Sequence, residues 1–109
     1  MNPVKPKNLV VIPAFNEAES IQRVVAAVGS ELPGWDVLVI DDGSNDDTAA
    51  KAAGAGARVV KAPFNLGIGG AVQTGFVFAL DEGYDQVVQI DGDGQHEPRA
   101  DCGHARRWD

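Results

Sequence analysis

With 109 residues, 44% of them apolar and 23% charged, the chain has the composition of one globular domain and too little length for two. A formal charge of −7 and a pI near 4.6 exclude a surface that grips nucleic-acid phosphates nonspecifically, because that requires Lys and Arg in quantity. A single Cys102 excludes an internal disulfide, and the apolar runs at 9–12, 37–40 and 87–90 are far shorter than the roughly 20 residues of a membrane span.

The first predicted element is a strand over 8–13, where Leu9, Val10, Val11 and Ile12 are continuous and Pro13 closes the run. Continuous β-branched residues suit a sheet covered on both faces. Asn16 with Glu19 three residues on reads as a capping pair, and Ile21, Val24, Val25 and Val28 follow at helical spacing up to Gly29. A second strand over 36–41 leads through Gly43 to another capping pattern, Ser44 with Asp47, and an alanine-rich helix that Gly54 and Gly56 end. Residues 58–62 read as a short third strand. After the glycines at 67–70 comes a helix with Ala71, Val72, Gly75, Phe76, Ala79 and Leu80 on one side, stopped by Gly83. The fourth strand, over 86–91, ends in acids. Strands alternating with helices through short connections give an α/β class with a mostly parallel sheet and right-handed crossovers.

In such sheets ligands lie beyond the carboxyl ends of the strands, and there the polar stretches 13–17, 41–44 and 91–96 converge. Asp91 and Asp93, separated by Gly92, place two carboxylates close together, an arrangement that suits a hard divalent cation sharing its oxygens with a diphosphate. An acidic turn without a ligand is the competing reading of Asp-Gly-Asp alone. A calcium loop is rejected by spacing, since taking Asp91 as first ligand puts His96 at the required glycine and Cys102 at the required glutamate. The dinucleotide fingerprint fails because Val72 stands where the third glycine belongs, and no glycine pair is followed by Lys and Ser or Thr as a phosphate-binding loop demands. Asp46 and Asp47 read as solvated charge near a helix start. Cys102 and His104 have no partners at zinc spacing.

Four segments in one order, VVIPAFNEAESI from Val10, VIDDGSNDDT from Val39, NLGIGGAVQTGF from Asn65 and QIDGDGQHEP from Gln89, closely resemble the family-two glycosyltransferases, most of all the dolichyl- and polyprenyl-phosphate sugar transferase branch. The resemblance implies a GT-A fold, a nucleotide-diphosphate sugar donor, Mg²⁺ or Mn²⁺ as cofactor, and inversion at the anomeric carbon. It implies that Pro13, Ala14 and Glu17 line the nucleoside pocket, that Asp41 bonds the base with Asp42 beside it, and that Asp91, Asp93 and Gln95 bind metal and diphosphate. The acceptor it implies is a saccharide or a polyprenyl phosphate at the membrane surface, with no nucleic-acid partner. Together with cysteine usage it places the protein in the cytoplasm, at the inner face of the membrane when complete. A noncatalytic nucleotide-binding module and a nucleotidyltransferase are the alternatives.

The resemblance covers residues 8–98. The remaining stretch, 99–109, lacks the apolar stripe of the helix that continues complete members. The expectation is therefore a donor-binding half over 1–98 with an atypical tail from truncation or a frameshift. Such a fragment is expected to be inactive by itself, and an exposed sheet edge would invite self-association.

Overall fold

The computed structural model describes residues 6–92 and 106–107. A sheet in the order β3-β2-β1-β4-β5 is built from β1 (Asn8–Ala14), β2 (Asp36–Asp41), β3 (Arg58–Lys61), β4 (Gln86–Gln89) and β5 (Arg106–Arg107). The first four strands are parallel and β5 is antiparallel to β4. The helices are α1 (Ile21–Glu31), α2 (Thr48–Gly54) and α3 (Gly67–Asp81). None of them is long and apolar enough to cross a membrane.

The side-chain alternation of a strand divides this core into two layers. Val10, Ile12 and Ala14 of β1 pack with Val24, Val25 and Val28 of α1 and with Ala52 of α2. Leu9 and Val11 face the other way, toward Ala71 and Ala79 of α3. A strand buried on both faces needs apolar residues without a break, which accounts for the continuous run at the start of the chain. Gly75 lets α3 lie close to β1: a Cβ there would sit 2.4 Å from Val11 Cγ1. Glycine in a helix interior costs about 1 kcal/mol against alanine. The stiff, buried Val11 side chain cannot yield to a contact that short, so close packing decides the residue.

Several boundaries differ from the sequence-based expectations, each for a local reason. Neither Asn16 nor Ser44 caps a helix: α1 starts behind Ser20 and α2 behind Asp47. Asn16 instead adopts the left-handed conformation, φ 53°, and its side chain serves the neighbouring loop. Helix α1 runs past Gly29 to Glu31, and α3 begins at Gly67 rather than after the glycine cluster. Strand β4 stops at Gln89, although Ile90 N still donates to Val11 O at 3.0 Å. Arg106 and Arg107 pair with Val87 and Gln86, so the outer edge of β4 is partly covered by a strand that no apolar alternation announced.

At the amino end of the sheet the Tyr84 hydroxyl donates to Asp36 Oδ2 at 2.6 Å. Burial, then that bond to a carboxylate, push the Tyr84 pKa up to about 12.

Candidate nucleotide-binding site at the carboxyl edge of the sheet

The strand order reverses about β1, with β2 on one side and β4 on the other, so the carboxyl end of β1 is the crevice where open α/β sheets receive ligands. A cavity of about 250 Å³ opens there, lined by Pro13, Ala14, Phe15, Glu17, Asp42, Asn65, Gly67, Ile68 and Ala71. Four residues expected from the sequence, Pro13, Ala14, Glu17 and Asp42, thus meet around one space. Asp41 does not line it. That side chain is buried, and its Oδ1 accepts from Ser44 N at 3.0 Å, which closes the turn after β2.

Asp42 has a structural task that its position in the sequence does not reveal. Its carboxylate accepts from Leu66 N at 2.6 Å and from Gly67 N at 2.9 Å, at the start of α3. The first turn of α3 contains no acidic residue, so Asp42 supplies, from another loop, the negative charge and the acceptors that a helix start favours. The same contacts anchor the α3 start against the β2 loop, and Asn65, Gly67 and Ile68 become cavity wall. Gly43, at φ 81°, permits the approach: a Cβ there would lie 2.9 Å from Asn65 N.

The β1–α1 and β2–α2 loops are clasped together. Asn16 N donates to Ser44 Oγ at 2.9 Å and Asn45 N donates to Asn16 Oδ1 at 2.8 Å. Glu17 N donates to Thr48 Oγ1 at 2.9 Å and Ala18 N to Asp46 Oδ2 at 3.2 Å. Asp46 also receives the Thr48 hydroxyl and backbone N–H, and the hydroxyl is the largest cause of its lowered pKa. The residues 44–48 thus act as a brace that presents Glu17 to the cavity.

The turn after β4 abuts the same space. A Cβ on Gly92 would lie 3.2 Å from Pro13 O and 3.3 Å from Ala14 Cβ, so the turn lies directly against two cavity-lining residues. Asp91 is half-buried beside it. Asp93 and Gln95 lie outside the described residues, and among the described residues no cluster of three His, Cys, Asp or Glu could hold a metal. The donors expected from sequence, two carboxylates and an amide oxygen, are of the kind that suits a hard divalent cation.

Phe15, Asn65, Gly67, Ile68 and Ala71 were not expected in the site. All five belong to recognised segments, but only the folded chain shows that the start of α3 closes the cavity. Phe15 is 43% exposed and Ile68 is 64% exposed, an apolar rim at its mouth.

The glycosyl transferase family 2 model matches residues 9–109. An undecaprenyl-phosphate mannosyltransferase of Micrococcus luteus is 37% identical over 95 residues, which are 83% of this chain and 39% of that protein. A polyprenol monophosphomannose synthase of Mycolicibacterium smegmatis is 36% identical over 98 residues, 84% of this chain and 37% of that one. The chain thus spans well under half the length of these relatives. Glucosyl-3-phosphoglycerate synthase of Mycobacterium tuberculosis, solved with Mn²⁺, uridine diphosphate and glucosyl-3-phosphoglycerate, superposes with a TM-score of 0.68 at 32% identity, over 80% of this chain and 33% of that one. The sheet and its helices are those of the GT-A fold. With four ordered motifs, that fold and a cavity at the strand ends in agreement, the chain belongs to glycosyl transferase family 2.

Proposed function

We propose that the protein is a nucleotide-sugar glycosyltransferase that passes a sugar, with inversion, to a polyprenyl phosphate at a membrane surface, and that this chain holds its donor-binding part. The observation that carries the reading is the cavity at the end of β1, where Pro13, Ala14, Glu17 and Asp42 meet and the Asp91–Gly92 turn abuts. The lipid-phosphate acceptor is supported by the names of the two sequence relatives, and the nucleoside diphosphate and cation by the ligands of the structural neighbour.

In this reading Pro13, Ala14, Glu17 and Asp42 bound the nucleoside. Asp41 lies behind the pocket wall, its carboxylate holding the turn after β2 in place. Asp91, with Asp93 and Gln95, would hold Mg²⁺ or Mn²⁺. A bound cation would supply positive charge against the diphosphate oxygens, the electrostatic stabilisation a departing nucleoside diphosphate requires. An acceptor phosphate oxygen forms the new bond to the anomeric carbon from the face opposite the leaving diphosphate, and the bond from that carbon to the diphosphate oxygen breaks. The acceptor is already ionised near neutral pH, so no general base is needed to take a proton from it.

Titration calorimetry with UDP and GDP, in Mn²⁺ and in EDTA, tests the binding part on this chain. Binding that Mn²⁺ strengthens, and that Asp93→Ala returns to its EDTA value, is expected. Equal affinity in both conditions overturns the cation assignment, and no binding in either overturns the cavity assignment. Release of nucleoside diphosphate rather than pyrophosphate from a sugar nucleotide, in a protein that includes the acceptor half, separates a transferase from a nucleotidyltransferase.

A further inference from the structure

We propose that Ser20 is a positioning residue for the Asp91–Gly92 segment after β4, holding it against the end of the sheet so that the Asp91 carboxylate meets a cation shared with the donor diphosphate. The inference rests on the donor-binding reading above and extends it to a residue on a different element.

Ser20 occupies the N-cap of α1, where a serine hydroxyl ordinarily accepts from an N–H of the first helical turn. Here it makes no such bond. The hydroxyl donates instead to Gly92 O at 2.7 Å, in a buried contact between residues 72 positions apart, with a longer approach of 3.4 Å to Glu17 O. Gly92 directly follows Asp91, and its carbonyl is set by Ser20 from one side. From the other side it is set by packing, because a Cβ would meet Pro13 O at 3.2 Å, Ala14 Cβ at 3.3 Å and Ile12 Cγ2 at 3.4 Å. Just before this segment Ile90 N donates to Val11 O at 3.0 Å, one residue past the end of β4. The Ser20 bond and the close packing of Gly92 both act one step beyond that pairing. Glu17 O in turn accepts from Ser20 N and Ile21 N, so the segment that carries Glu17 into the cavity also seats the hydroxyl that holds Gly92. One serine thereby links the nucleoside side of the cavity to its acidic side.

A buried carbonyl needs a donor whatever the turn does, so lower stability of Ser20→Ala alone would not distinguish positioning from packing. The readout that does is the affinity for Mn²⁺ in the presence of saturating UDP or GDP, followed by calorimetry on the full chain, set beside nucleotide affinity in EDTA. Ser20→Ala is expected to weaken Mn²⁺ by about tenfold, as loss of an outer hydrogen bond does at other metal sites, and to leave the EDTA affinity unchanged. Ser20→Thr, which keeps the hydroxyl, is expected to restore Mn²⁺ affinity. Gly92→Ala disturbs the same turn from the packing side while leaving Ser20 in place, and is expected to weaken Mn²⁺ in the same way should Ser20→Ala fail to fold. Unchanged Mn²⁺ affinity in the folded variant, or in Gly92→Ala, overturns the positioning role while leaving the donor site standing. A wild-type chain whose nucleotide affinity ignores Mn²⁺ overturns both.

Discussion

The two sides of the cavity differ in how they are assembled. On the nucleoside side, Asn16, Glu17 and Ala18 are tied to Ser44, Asn45, Asp46 and Thr48 by four side-chain hydrogen bonds, and Asp42 fastens the start of α3 to the same region. On the acidic side, the described contacts after Ile90 are fewer: Gly92 rests on Ser20, Pro13 and Ala14. The first side is shaped by the protein's own polar groups before any ligand arrives, which lowers the ordering cost of binding. The second carries Asp91, one residue from another acid in the sequence, and repulsion between such acids is relieved by a cation with its phosphates. Disturbing the brace should therefore reduce stability and nucleotide affinity together, whereas disturbing the turn should act through the cation.

The largest expected break in the braced side is Asp42→Ala. It removes two charge-assisted bonds and leaves Leu66 N without its acceptor, a loss of about 2–3 kcal/mol in unfolding free energy. Gly67 N keeps Asn65 Oδ1, which limits the damage. Asp42→Asn, which retains one acceptor oxygen, should lose less. Urea unfolding monitored by circular dichroism separates the two, and an Asp42→Ala chain as stable as wild type would show that the start of α3 is held by other contacts.

Much of this fold was legible before the structure. Residues 36–41 coincide with β2 because the apolar run is bounded by polar residues at both ends, and Gly83 stops α3 as expected, at φ 76°. The caps assigned to Asn16 and Ser44 were wrong for one reason: a short polar side chain can accept from its own helix or from another loop, and pattern alone does not choose. In both cases a partner nearly thirty positions away wins, at separations of 28 and 29 residues. Asp42 is similar, since its sequence neighbours suggest a ligand contact while its partners lie 24 and 25 residues on. Strand β5 was illegible because a two-residue antiparallel pair rests on backbone bonds and requires no alternation. The acids at 91 and 93 stand out in the sequence because a pair of carboxylates one residue apart leaves a signature there. Their geometry beyond Gly92 falls outside the described residues.

A smaller disturbance of the brace is Asn16→Ala. Asparagine tolerates the left-handed backbone at φ 53°, whereas alanine pays about 1 kcal/mol there, and the acceptor for Asn45 N is lost as well. A combined loss of about 1–3 kcal/mol is expected. Asn16→Gly should recover the backbone part and not the hydrogen bond, so denaturation of the pair divides the two contributions. Nucleotide affinity measured in EDTA should fall in Asn16→Ala, because Glu17 follows directly. A fall seen only with Mn²⁺ present would mean that the two sides of the cavity are not separable in the way their bonding suggests.

The smallest effect expected is the pH dependence of the brace. Asp46 is fully exposed, yet its carboxyl titrates below the ordinary 3.8 because the Thr48 hydroxyl, then the N–H groups of Thr48 and Ala18, bond the charged form, against a desolvation that acts the other way. A carboxyl whose pKa is depressed by folding binds its proton more readily in the unfolded chain, so it contributes stability above the ordinary value and loses it as pH falls through the lower, folded one. Asp46→Asn removes this titration. Wild type should therefore be the more stable of the two near neutral pH, and the difference should shrink as the pH is taken down through the region below 3.8. Solvent screens an exposed group, so the gap will be slight, and it is best read as a shift in urea midpoint between matched pH values. Parallel acid limbs for the two proteins would mean that the Asp46 charge adds nothing to the clasp, leaving Asn16 and Thr48 to hold the loops together.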